Sequence, residues 1–142
     1  MKKATIILSF LVFAIAGCEL FGNHDVHNFK DMSANMMDIR IYHENLGDYI
    51  KYDKLEDAEW LLDGLDSILN LVSVKFPKHR KLSRSFEHYN RKLMREPISD
   101  LRSAIRKNDQ AAAKKAYGVL TKKCNSCHID HDIEKDVFNW AE

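Results

Sequence analysis

Two thiols and an imidazole fall within five residues near the end of the chain, at Cys124-Asn125-Ser126-Cys127-His128. On a helix, residues three apart share a face, so both thiols point the same way and the histidine follows the second. C-x-x-C-H is the attachment signature of c-type haem. Each thiol adds to a vinyl group of the porphyrin, and the adjacent imidazole reaches the iron as proximal ligand. Three other chemistries use paired cysteines. A structural zinc site wants a third and fourth ligand at matching spacing, and the chain has no second cysteine pair. A thioredoxin-like pair belongs at a helix start after a strand, whereas periodicity puts this pair in the last turns of the final helix. A disulfide between Cys124 and Cys127 would close a tiny loop and stabilise little. One covalent haem on Cys124, Cys127 and His128 is therefore the expectation.

The chain has 142 residues and three cysteines, so one thiol is left over. It follows a distinctive start. Met1-Lys2-Lys3 is positively charged, and residues 4–16 (ATIILSFLVFAIA) are apolar except Thr5 and Ser9. That run is short for a membrane span and suits the core of a signal peptide. It ends in Ile15-Ala16-Gly17-Cys18, which resembles a bacterial lipoprotein box: small side chains fit the peptidase, and the cysteine is acylated before cleavage. The alternative is an ordinary signal with a coincidental cysteine. The lipoprotein reading makes 1–17 a signal peptide, Cys18 the lipidation site, 18–24 a lipidated tether and 25–142 the folded domain. Cleavage would leave 125 residues with a formal charge of −1. Several acyl chains anchor stably where one would not. Covalent haem attachment takes place outside the bacterial cytoplasm, so export and haem support each other, with the domain placed in the periplasm. No thiol then remains for a disulfide.

The elements that must hold this chemistry are helical. Hydrophobic residues make up 45% of the chain and charged ones 30%, an ordinary globular balance that at this length implies one domain. Only five Gly and two Pro occur, too few for the turns of a sandwich or barrel. A formal charge of +1 shows no bias toward nucleic acid. From 25 to about 51, Phe29, Met32, Met36, Ile39, His43, Leu46 and Ile50 recur at steps of three and four. Asp25 is placed to cap this helix, and Asp53, with Glu56 three residues on, to cap the next. The second stripe is Leu55, Ala58, Leu62, Leu65, Leu69 and Val72, and Phe76-Pro77 ends it. A third helix starts near Ser83 or Ser85 with Phe86, Tyr89, Leu93, Leu101, Ala104 and Ile105 inward. Pro97 predicts a kink or break just before itself. The fourth opens at Asn108-Asp109 and turns inward Ala113, Ala116, Tyr117, Leu120, Cys124, Cys127, His128 and His131. No segment keeps a period of two. The expectation is an all-α fold, an antiparallel four-helix bundle with the haem near the C-terminal end of the last helix.

A bundle carrying C-x-x-C-H near its C-terminus resembles the class II cytochromes c, the cytochrome c′ family. Asn108-Asp109-Gln110 followed by AAAKKAYGVLTKKCNSCH is similar to that family's last helix, and the resemblance covers about residues 25–135. The resemblance implies a choice at the distal face of the iron. High-spin members keep an apolar side chain there, and low-spin members a methionine from the first helix. Aligning Leu46-Gly47 with the Leu-Gly often found late in the family's first helix assigns Met36 as the distal ligand. Met32, one turn away, is a second candidate, and Met37 lies off the stripe. His43 lies on the stripe two turns beyond Met36 and is a third candidate, with a hydrogen-bonded core histidine as its alternative. Methionines that only fill core space are the alternative for all three Met. His131 falls on the proximal side. The family often has an aromatic residue there and an arginine next, where this chain has His131 and Asp132. His24, His27, His79 and His88 read as surface residues.

Charge is uneven. Residues 75–107 carry eleven Lys/Arg against three acids, and residues 44–66 carry eight acids against two Lys. Such runs are usually solvated faces paired between neighbours, and otherwise a docking patch for an acidic redox partner or anionic lipid. The expected function is a membrane-anchored one-electron carrier with His/Met-ligated iron, and not an enzyme, since no acid–base dyad can be named. Its partners would be a redox protein and the membrane, with a homodimer left open and nucleic acid not expected. The alternative is a protein that binds NO or CO at an open or displaceable distal site. A structural or sensory haem lipoprotein is a third class, for which the sequence offers nothing specific.

Overall fold

A computed structural model describes residues 32–79 and 81–131. The signal segment, Cys18, the tether, Asp25, Phe29 and Asp132 lie outside the described residues. Among the described residues the chain is all-helical, without strands. Helix α1 spans Met32–Lys51 and α2 spans Leu55–Lys75. A third helix, α3, runs in three continuous pieces: an α-helical turn at Phe86–Tyr89, a π turn at Asn90–Met94 and an α-helical stretch at Arg95–Arg106. Helix α4 spans Gln110–Asp130. No helix among the described residues is long and apolar enough to cross a membrane.

The periodic stripes become the core. His43, Leu46 and Ile50 of α1 are fully buried, as are Ala58, Leu62 and Val72 of α2, Leu101 of α3, and Ala113 and Leu120 of α4. Helix ends follow local chemistry, with one correction. Asp53 does not cap α2. It adopts a left-handed backbone (φ 58°) that closes α1: its amide bonds to the Ile50 carbonyl, and the Lys54 amide reaches the Tyr49 carbonyl at 2.9 Å. Asp53 is used up in ending one helix, so Lys54 stands at the start of α2 without a side-chain cap. Asn108 (φ 52°) ends α3 in the same way, with the Asp109 amide on the Ala104 carbonyl at 3.0 Å. Asp and Asn tolerate this region better than other non-glycine residues. There the following residue, Asp109, does cap its helix, accepting from the Ala112 amide at 3.0 Å. Ser85 caps α3, accepting from the His88 amide at 3.2 Å.

Pro97 does not break α3. The helix widens into its π turn immediately upstream instead. Proline supplies no amide to the carbonyl four residues back, that of Leu93, and its ring crowds that oxygen; a widened turn relieves both.

Neighbouring helices meet at identifiable places. The Tyr42 ring of α1 lies directly on Gly64 of α2, where an added Cβ would clash with the ring. Arg102 of α3 bridges Asp63 at 2.9 Å and Asp66 at 3.2 Å on α2, and Arg106 bonds Glu59 at 2.6 Å. Part of the basic segment is thus neutralised by the acidic one. The Arg106–Glu59 pair is largely solvated and contributes little to stability, whereas Arg102 is mostly covered between its two carboxylates. Further along, the buried Asn90 amide donates to Ser73 Oγ at 3.1 Å and Asn70 Oδ1 at 3.2 Å.

Candidate functional site

Helices α1 and α4 touch through a buried polar cluster. The Tyr117 hydroxyl lies 2.8 Å from His43 Nδ1 and 2.9 Å from the His43 carbonyl oxygen. The Thr121 hydroxyl lies 3.1 Å from His43 Nε2 and 3.0 Å from the Tyr117 carbonyl. The His43 and Tyr117 rings are 4.6 Å apart, centroid to centroid. Burial pushes the His43 pKa down to about 3 and raises that of Tyr117, with the charges of Cys124, Asp48 and Glu44 adding to the rise. Both ring nitrogens of His43 therefore face hydroxyls, and iron ligation by His43 would require one of them to be given up. One end of the same contact is held by Gln110, whose side-chain amide donates to the Ile50 carbonyl.

These contacts show that α1 and α4 run in opposite directions, and they set the register. Seven residues, two turns, back from His43 is Met36. Seven residues on from Tyr117 is Cys124, and seven on from Thr121 is His128. Two turns are roughly 10 Å on either helix, so Met36 stands level with the segment Cys124–His128. Met36 is half-buried, Met32 one turn further out is buried, and Met37 is 54% exposed on the outer side.

Cys124, Cys127 and His128 are all partly buried in the last turns of α4. Burial pushes the Cys124 thiol up to about 12, the charge of Cys127 adding to the effect, and raises Cys127 as well, with Asp130 contributing. The helix C-terminus adds nothing that would favour a thiolate. A nucleophilic or disulfide-exchanging pair needs the opposite environment. Among the described residues, no group of three or more His, Cys, Asp or Glu side chains is arranged to hold a metal ion.

Helix α3 closes the other flank of this segment. Met94, at the end of the π turn, is buried with its sulfur 4.0 Å from Cys124 Sγ. The Tyr89 ring packs edge-on against His131 at 4.7 Å, and its hydroxyl bonds Ser83 Oγ at 2.8 Å. His131 Nε2 is buried without a hydrogen-bond partner among the described residues. Asn35, Thr121 and Met94 were not singled out by sequence periodicity, although all are buried. Asn35 and Thr121 sit on the inward stripes of their helices, but their polarity masks them; Met94 lies seven residues before the inward Leu101, a helical spacing that could have found it.

Comparison with family models, with curated proteins and with solved structures found no match for this chain.

Proposed function

We propose that this chain is an exported, lipid-anchored c-type cytochrome that carries single electrons, folded as an antiparallel four-helix bundle of the class II type. The observation that carries the reading is Cys124-x-x-Cys127-His128 on one helix with a first-helix methionine, Met36, level with it on the facing helix. The residues present suit a covalent haem. Two protonated thiols share one helix face, a buried methionine sulfur lies beside the first, and a buried nitrogen on His131, unpartnered among the described residues, is available to a polar group entering the space. Cys124 and Cys127 would hold the porphyrin, His128 its iron and Met36 the opposite face. When bound, the haem supplies a ferric/ferrous couple.

The protein's part is to keep the imidazole and thioether in place in both oxidation states and to exclude water from them. A thioether donor favours the ferrous state and raises the potential. The gas-binding alternative differs at one residue: it needs Met36 absent from the iron or easily displaced.

The test has two parts. Haem should stay with the polypeptide through acid–acetone extraction, and Cys124→Ala with Cys127→Ala should abolish that retention. Extractable haem in the wild type overturns the attachment. The ferric protein should be low-spin with a weak far-red sulfur-to-iron band, and Met36→Leu should remove the band, speed CO binding and lower the potential. A wild type that is already high-spin and binds CO readily favours the gas-binding reading. A low-spin spectrum that survives Met36→Leu but not His43→Phe moves the ligand to His43. Cys18→Ser should release the protein to the soluble fraction or block processing.

A further inference from the structure

We propose that His43, Tyr117 and Thr121 are positioning residues that lock the height of α1 against α4 and so hold the Met36 thioether level with His128. The inference rests on the haem reading above.

Three features of the cluster support it. First, α4 grips His43 at two points one turn apart, Tyr117 and Thr121. A single bond would leave α1 free to rotate about the contact, whereas two on opposite nitrogens of one ring restrain both rotation and sliding. Second, the Tyr117 hydroxyl donates to the His43 backbone carbonyl and so accepts from His43 Nδ1–H, which leaves Nε2 to accept from the Thr121 hydroxyl. The cluster therefore ties side chains to the helix axes themselves. A slip of one residue, about 1.5 Å, would lengthen and misalign the three contacts that cross from α4 to His43, while the Thr121 contact with the Tyr117 carbonyl, internal to α4, would not change. Third, His43 is fully buried and Tyr117 and Thr121 nearly so, so water cannot replace a lost partner. Axial ligation requires the donor to be held within roughly 0.5 Å. A methionine has three rotatable bonds and cannot supply that definition itself. The fixed point two turns away on the same helix does.

A cluster that merely stabilised the fold would look the same in a static structure, so the test must separate register from stability. In the haem-loaded full chain, Tyr117→Phe and Thr121→Val should each weaken the far-red band and speed CO association to the ferrous protein by roughly fivefold to tenfold, the cost of one buried hydrogen bond. Thr121→Ser, which keeps the hydroxyl, should restore wild-type values. Amide exchange across Met36–His43 should quicken in the Phe and Val variants and not in the Ser variant. Variants that unfold more easily yet keep the band, the CO rate and the exchange pattern of the wild type overturn the proposal and leave a structural cluster. If the double variant does not fold, the single substitutions decide. A wild type without the far-red band overturns the Met36 assignment and this proposal together; a band present in the wild type and unmoved in the variants overturns the positioning role alone.

Discussion

The same two helices, α1 and α4, meet in two different ways along their length. Toward the α1 C-terminus the contact is closed: His43, Leu46, Ile50, Ala113 and Leu120 are fully buried, and His43, Tyr117, Thr121 and Gln110 bond across it. Toward the α1 N-terminus Met32, Asn35 and Ile39 are still buried, but other residues of that end are softer and more open. Met36, Cys124, Cys127, His128 and His131 are only partly buried, and sulfur is the common atom, from Met36 to Cys124 with Met94 behind it. One end is specified by directional bonds. The other is lined by adaptable, polarisable side chains that conform to whatever fills the space. The contrast shows how a small domain can keep rigid reference points beside a more deformable region.

Acid should break the closed end first. His43 is neutral in the fold, with its pKa depressed to about 3, while in the unfolded chain it titrates near the ordinary value of 6.5. Below that value the unfolded state takes up a proton that the folded state refuses. The contribution is therefore fully present above pH 6.5 and is lost as pH falls toward 3, by up to about 4 kcal/mol. Denaturant titrations from pH 7 to 4 should show this slope. His43→Gln, less stable at neutral pH, should show a flatter one. An unchanged slope would mean that the ring protonates in place.

Truncation should sharpen the comparison next. Leu46→Ala at the closed end should cost about 2–5 kcal/mol, because close-packed neighbours cannot collapse into the gap. Met36→Ala should cost less, about 1–2 kcal/mol, since part of its surface already meets water. Equal losses in urea unfolding would show that the two ends are packed alike. The smallest change in stability is expected for Met36→Leu, under about 1.5 kcal/mol, as a swap of similar volume. That variant should alter the spectrum far more than the unfolding midpoint, and the reverse result would make Met36 a packing residue.

Much of this was legible in the sequence, for local reasons. The four apolar stripes repeat every three or four residues, and period alone identifies helices and their inward faces. Ser85 and Asp109 were readable as caps because capping involves only the next turn. Cys124-x-x-Cys127-His128 was readable because its chemistry is contained within one turn and a half of helix. The sequence also placed His43 on the inward stripe and offered a hydrogen-bonded core histidine beside a ligand role, without naming its partners.

Tertiary structure decided the rest. Asp53 could have capped α2 by its type, yet the chain uses it to end α1, because closing a three-residue connection demands a left-handed residue there. Pro97 predicted a kink or break, but the helix continues through it after a π turn at Asn90–Met94, and Met94 packs beside Cys124. The partners of His43 lie 74 and 78 residues away, and which hydroxyls meet which nitrogens follows from how two separate helices slide against each other. Composition and period act along one helix and are written in consecutive residues. Register is a relation between two helices, settled only when their side chains interlock.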